Sequence, residues 1–456
     1  MDSSNLKRQW CRGLTTMILL AFSVCQSNAQ ESVSHSSQTV PPVQGPIERP
    51  STSELQSQLT LNQAFLLTLR GHPILQQRQG SIGAAQDDIK AAQWRRFPTL
   101  TFDTSRSVKD QPVGVANSDR NAASLRLQQP LWTGNRIDSD IGMANLRQVV
   151  AQRALEETEQ ELLLRVVQSF SDYYRLLERG VVATANVQEH QRLYDLIEHR
   201  LAQQVTSEAD VALAFARLQQ AKTELITLQS LANNSRSTLE QLVGERLSGQ
   251  SLMTPVRSAS VWADVESTID AVLDYSPTLR RLRTEIELAQ TDVVSKRSLV
   301  MPQVSLRYEK YDGSATVVPF DRLLMVMEYQ PGSGLSSLPG MDAASKRVGV
   351  AQSALETSQR DLADKATAFY NEMSAYAAQA DGANQYAKAA TAVMESYLRQ
   401  YKAGRKSWLE VFNAQREMAQ ARYTDIDTTA GVVLSSYKLD ILAGRVTRAS
   451  LTSNVP

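Results

Sequence analysis

Two periods organise the apolar positions of this chain. Leu125, Leu127 and Leu131 alternate with polar neighbours, as do Leu323, Met325, Met327 and Tyr329, which is the pattern of strands with one apolar face. The spacing lengthens in the segment from Val211 to Ala232, where Val211, Phe215, Leu218, Lys222, Leu225, Gln229 and Ala232 alternate steps of four and three. That predicts a coiled-coil seam carried partly by alkyl stems. Two stretches without interior proline, about 136–203 and about 341–403, read as unbroken helices. At 1.5 Å per residue each runs to about 100 Å, too long for the core of a globular domain, so each belongs to a bundle or coiled coil. The second holds 17 alanines between Met341 and Ala403. Both close lateral packing and plain helix propensity account for them.

Prolines punctuate the chain twice in the same way. Pro73 and Pro98 are 25 residues apart, and so are Pro277 and Pro302. The first of each pair opens a helix, with Ser276 as the cap before Pro277, and the second stops it by driving its predecessor out of the α region. Strand candidates follow at about 99–107 with 124–132, and at about 303–311 with 323–329. Gln129-Pro130 answers Gln330-Pro331, Ala154-Leu155-Glu156 answers Ala354-Leu355-Glu356, and the run Leu239–Gly244 answers Leu439–Gly444. The offset drifts only from 204 to 200, so the chain is read as two copies of one unit. The predicted division is a signal peptide (1–29), a flexible leader (30–58), repeat 1 (59–262, strand pair about 99–132), repeat 2 (263–446, strand pair about 303–330) and a tail (447–456).

The helix before each strand pair and the helix after each turn together match one long helix. Each unit is therefore expected to be an antiparallel rod with strands at one end and a helical turn at the other. Four strands cannot close a membrane barrel, for which about eight is the smallest number, so several chains are expected to share one.

The N-terminus sets the compartment. Lys7, Arg8 and Arg12 precede an apolar run from about Gly13 to Val24 and then Ser27-Asn28-Ala29, the pattern of a secretory signal peptide cleaved after Ala29. Cys25 follows Phe22 and Val24, where a lipobox would have Leu and a small residue. Both cysteines, Cys11 and Cys25, fall in the removed segment, so neither disulfides nor thiolate metal sites are expected. No later stretch is long and apolar enough for a spanning helix, which leaves strands as the membrane-crossing elements. With 48 basic and 48 acidic residues the formal charge is zero, giving no reason to expect a nucleic-acid partner. The histidines, His35, His72, His190 and His199, make no metal-ligand spacing, and no phosphate loop or nucleophile motif is present. No catalytic, cofactor or metal site is assigned, and His190 and His199 are assigned to a solvated helix surface.

Leu59-Thr-Leu-Asn-Gln-Ala64, the two Pro-to-Pro segments, Gln129-Pro-Leu-Trp-Thr-Gly134 and Tyr401-Lys-Ala-Gly-Arg-Lys-Ser-Trp-Leu-Glu-Val411, in this order and duplicated, resemble the TolC family of outer-membrane exit ducts. The resemblance covers about 59–446. It implies a mainly α protein with a β-barrel part: a homotrimer whose chains give four strands each to a 12-stranded outer-membrane barrel, continuous with a long periplasmic α-helical barrel. It further implies a passive conduit in contact with outer-membrane lipid, docked on a periplasmic adaptor and an inner-membrane ABC transporter or other pump. The segment from Gln330 to Leu335 and the missing lipobox look more like the branch for type I secretion of large adhesins than like drug-efflux lipoproteins. Multidrug efflux is the alternative, and a soluble periplasmic coiled-coil scaffold is the alternative of another class.

The turn between the last two long helices is the most informative local feature. Gly404 can end one helix in the left-handed conformation and Ser407 can cap the next, in a capping box with Glu410. Ser207 and Asp210 stand in the equivalent places of repeat 1. The family resemblance makes this turn the constricted periplasmic entrance, with Asp210 and Lys406 as a latch pair and Glu410 as a pore-facing ring of carboxylates. Asn413 stands where other members have a second acid, which weakens the case for a doubled acidic ring. Trp132, at a strand end, is a candidate membrane-interface aromatic.

Overall fold

The computed structural model describes residues 59–106, 121–247, 252, 262–312, 320–330 and 335–453, all within the unit from Gln56 to Pro456. The signal peptide, the leader, both cysteines, His35 and residues 331–334 lie outside them. Two short helices open the described chain, α1 (Leu61–Gly71) and α2 (Pro73–Trp94), followed by strands β1 (Thr99–Arg106) and β2 (Asn121–Trp132). Then come the 67-residue α3 (Arg136–Ala202) and the 36-residue α4 (Glu208–Val243). The order repeats as α5 (Val265–Tyr275), α6 (Pro277–Ser298), β3 (Gln303–Asp312), β4 (Phe320–Glu328), the 66-residue α7 (Ser337–Lys402) and the 35-residue α8 (Trp408–Leu442). A final short helix is α9 (Arg448–Ser453).

Local chemistry sets the boundaries. Thr60 caps α1 in a capping box with Gln63, and Asp264 caps α5 through the Ser267 amide. Pro73 and Pro277 begin α2 and α6, after His72 and Ser276 as caps. Gly244 and Gly444 both follow their helices in the left-handed conformation. The α1 and α5 helices were not resolved as separate elements in the sequence, because their apolar periods run on toward those of α2 and α6 across a single capping residue.

Each long helix is flanked along its length by shorter ones. Near the sheet α3 packs on α2 and α6, and near the turns on α4 and α8; α7 packs on α6 and α8. Between the repeats, the Glu157 carboxylate of α3 accepts from Arg281 (2.8 Å) and Thr278 (2.8 Å) of α6. The largest apolar cluster lies where α1 crosses α3 and α4, around Phe65, Leu162, Val166, Phe170 and Leu239. Its counterpart in repeat 2, where α5 crosses α7 and α8, holds Trp262, Val272, Ala366, Leu439 and Leu442.

The seam on α4 differs from the expected one. Ala214, Leu218, Ala221 and Leu228 are buried, whereas Phe215 is 49% exposed. The steps are still four and three, but small alanines occupy the buried line and the bulky Phe215 lies at its edge, its ring centre 5.9 Å from that of Tyr194 on α3. In α7 the buried set is likewise mostly alanine: Ala344, Ala366, Ala383, Ala387 and Ala390. At these positions close helix approach, and not propensity alone, explains the residue type.

Candidate functional site: the helical tip and the sheet

At the tip, α3 ends in a turn whose Gln204 and Val205 amides donate to the Leu201 (2.8 Å) and Arg200 (2.9 Å) carbonyls. The α7 turn repeats this with Gly404 to Tyr401 (3.0 Å) and Arg405 to Gln400 (2.9 Å). Gly404 has φ 70°, and Gln204 adopts φ 60° without glycine's freedom. Ser207 and Ser407 then cap α4 and α8, each in a reciprocal box with Asp210 or Glu410. Asp210 also accepts from the Thr206 hydroxyl (2.8 Å). These hydroxyl and amide donors hold its carboxyl below the usual carboxylate range.

The charged pairs are distributed differently on the two turns. Lys406 Nζ stands 2.6 Å from Glu410 Oε1 and 4.5 Å from the centre of the Tyr397 ring. The ammonium, with the Ser407 amide and hydroxyl, lowers the Glu410 pKa to about 2, and the same hydrogen bond raises that of Lys406. Asp210 takes no part in that pair within one chain; its Oδ1 accepts from the Trp408 indole at 3.1 Å, which joins the two hairpins. Trp408 was not singled out from the sequence, because an aromatic one residue past a cap reads as ordinary packing until its N–H is seen to have an acidic partner. Tyr401 is buried beneath the turn with the Arg200 guanidinium 4.3 Å from its ring centre.

Just above the turns lies a polar core that corrects the surface assignment of His190. Its residue is only 6% exposed. The ring Nδ1 is 2.9 Å from the Asn186 carbonyl and the ring packs edge-on against Phe412, with 5.1 Å between centres. The buried Gln415 amide donates to Asn186 Oδ1 at 3.0 Å. Burial pushes the imidazole below its ordinary value of 6.5. His199, two helical turns further on, is exposed as expected. Asn413 is exposed and, with Arg217, Glu224, Phe412, Arg416 and Tyr423, lines a cavity of about 170 Å³ beside this core.

At the other end the strands form one antiparallel sheet in the order β1-β2-β3-β4. Leu100 faces Leu127 across the first ladder, Leu127 faces Tyr308, and Tyr308 faces Leu323; Leu306 faces Met325 and Val304 faces Met327. This face is apolar and open, with Leu323, Met325 and Met327 at 65, 73 and 69% exposed. It ends at a charged rim where Lys310 pairs in register with Asp321. The opposite face carries Thr99, Thr101, Arg126, Gln128, Ser305, Arg307, Glu309 and Arg322, interrupted by Leu324 and Val326 on β4 and, at its outer end, by the stacked rings of Tyr311 and Phe320. A register shift between Pro130 and Trp132 lifts Leu131 out of the alternation. Trp132 is 47% exposed at the helix-proximal end of β2, where Trp94, Phe97 and Tyr329 are exposed as well. In a meander of four, β1 and β4 each have one neighbour, so both sheet edges are open. Among the described residues no helix is long and apolar enough to cross a membrane and no metal-binding group of His, Cys, Asp and Glu occurs.

An open apolar sheet on the end of a long helical bundle is an arrangement with known counterparts. The family model of outer membrane efflux proteins matches residues 67–245. Outer membrane efflux protein BepC of Brucella suis biovar 1 (strain 1330) is 20% identical over 403 residues, spanning 86% of this chain and 87% of BepC. The outer-membrane channel OprN superposes with a TM-score of 0.73 at 18% identity, over 84% of this chain and 89% of that one. The outer membrane protein VceC of Vibrio cholerae does so with a TM-score of 0.72 at 15% identity, over 84% and 96%. At such identities the structural likeness establishes the fold.

Proposed function

We propose that this chain, which matches the outer membrane efflux family model over residues 67–245 and has the TolC-type fold, is one of those proteins and a passive exit duct spanning the outer membrane, with its helices in the periplasm. One observation carries the reading: the sheet exposes a continuous apolar face on one side, a polar face on the other, and two unpaired edges. In water such a sheet would bind its own kind without limit. In a bilayer the apolar face meets lipid, the polar face lines a lumen, and three chains of four strands satisfy every edge by closing a 12-stranded barrel. The strands, of 8, 12, 10 and 9 residues, approach the roughly 9–11 needed to cross tilted.

The helices then extend the lumen into the periplasm, and the capped turns form its entrance. There Asp210 and Lys406 supply links between neighbouring hairpins, Glu410 a carboxylate toward the pore, and Asn413 a neutral position one turn further along. Exposed polar links of this kind are weak, as a gate that an adaptor must open requires. A periplasmic adaptor and an energised inner-membrane pump complete the path in this reading, the duct being passive.

For the cargo, export of a large protein through a type I secretion assembly with an ABC transporter is supported by the segment Gln330–Leu335 and by the absence of a lipobox at Cys25. The name of BepC favours efflux as the second reading. The test has two stages. Purified protein is expected to run as a detergent-stable trimer from outer-membrane fractions and to conduct in planar bilayers; a soluble periplasmic monomer defeats the duct. A deletion strain that loses a surface protein but keeps its drug tolerance supports secretion, and the reverse result supports efflux.

A further inference from the structure

The polar face of the sheet carries more than generic lumen chemistry. Glu309, at the centre of the sheet, has a side chain only 14% exposed, and guanidiniums from both neighbouring strands converge on it. Arg126 of β2 reaches its Oε1 at 3.1 Å and Arg322 of β4 its Oε2 at 2.7 Å. Arg307, on the same strand and face, lies 3.7 Å from the same carboxylate. The Arg307 Nε is buried with no hydrogen-bond partner. Three guanidiniums thus share one carboxylate, while the Arg126 and Arg322 side chains remain 40% and 53% exposed on the lumen side. Among the described residues the other acids on this face are Asp103, one same-face position outward of Arg126's partner Thr101, and Glu328 at the helix-proximal end, both set by register.

From this geometry we infer that Arg126, Arg307 and Arg322 form a basic belt at mid-height of the barrel that selects for anions, the shared chemistry being chloride-like ions and carboxylate groups in transit. The inference rests on the duct reading, since closure by three chains turns the cluster into a ring. A ring of like charge inside low-dielectric walls concentrates counter-ions. Glu309 holds the guanidiniums in place without neutralising them, because a single carboxylate can accept from all three but cancels the charge of only one. The bidentate fork of arginine suits that shared geometry better than lysine does.

The test measures ion selectivity of the purified full-length protein in planar bilayers under a potassium chloride gradient. Arg126→Gln/Arg322→Gln is expected to raise the potassium-to-chloride permeability ratio by about twofold or more. Glu309→Gln is expected to lower it, and Arg126→Lys/Arg322→Lys to leave it near wild type. Conducting channels whose ratio is unchanged by the Gln substitutions, or moves in the same direction with Glu309→Gln, overturn the belt while leaving the duct intact. Wild-type protein that forms no channel overturns the duct and the belt with it. Should the double variant fail to assemble, Arg322→Gln on the edge strand and Glu309→Gln still give opposite expected signs.

Discussion

Trp408 is the residue on which the tip's geometry turns. Its indole both donates to Asp210 and packs edge-on against Phe412, with 5.5 Å between ring centres, so a single side chain ties α8 to α4 and to the polar core. Trp408→Phe keeps most of the packing and removes the donor. It is expected to raise single-channel conductance severalfold in the absence of an adaptor; unchanged conductance would show that the indole bond does not restrain the tip. The carboxylates here give little pH sensitivity near neutrality. Glu410, lowered to about 2, and Asp210, also lowered, contribute stability present above the ordinary carboxylate range and lost only as pH falls through their depressed values. His190 behaves differently. Its imidazole is held neutral in the fold but binds a proton in the unfolded chain below its ordinary 6.5, so its contribution is complete above that pH and declines below it. Arg217 on α4 opposes its protonation, while Glu224 on α4 and Glu189 on its own helix favour it. The melting temperature followed by circular dichroism is expected to drop between pH 7.5 and 5, and His190→Asn should flatten that dependence. An equal drop in the variant would assign the effect elsewhere.

Among the elements, what the sequence revealed and what it concealed divide along physical lines. The caps at Ser207 and Ser407 were legible because a hydroxyl three residues before an acid has one local use, and the Pro-to-Pro helices because proline acts on its immediate neighbours. Tertiary choices were not legible. Nothing in the pattern distinguishes Phe215 from Ala214 as the inward residue, since both fit a four-three spacing; the choice depends on how closely α3 can approach. The buried position of His190 was hidden for the same reason, the Phe412 ring that covers it and the Gln415 amide that binds neighbouring Asn186 lying more than two hundred residues away. Gly431 is a further case. Glycine in mid-helix usually costs about 1 kcal/mol relative to alanine, yet a Cβ there would stand 2.7 Å from the Tyr376 ring of α7. The contact outweighs the propensity. Gly431→Ala is expected to destabilise by about 1–3 kcal/mol, and Tyr376→Leu in the same chain to recover part of the loss. A Gly431→Ala variant as stable as wild type would mean that the ring moves aside freely.

For the molecule as a whole, the sheet decides whether these helices belong to a membrane channel, and neighbouring residues on one strand can test it. Leu127 and Gln128 are adjacent on β2, an inner strand, and their side chains stand on opposite faces: Leu127 among Leu100 and Tyr308, Gln128 within 3.1 Å of the Ser305 hydroxyl. If the apolar face meets lipid, Leu127→Arg places a guanidinium in hydrocarbon. That costs about 2–4 kcal/mol near the bilayer midplane. Closure by three chains incurs the cost three times over, enough to deplete assembled trimer strongly. Gln128→Arg puts the same charge into an aqueous lumen beside Arg307, where water screens it, and loses only the Ser305 hydrogen bond. Leu127→Arg is therefore expected to abolish or sharply reduce heat-modifiable trimer in outer-membrane fractions, with Gln128→Arg close to wild type. A soluble scaffold predicts the reverse ranking of burden, because an arginine added to an exposed face in water is harmless. Equal trimer yields from the two variants would break the link between the apolar face and the bilayer, and with it the reason for three chains to close a barrel at all.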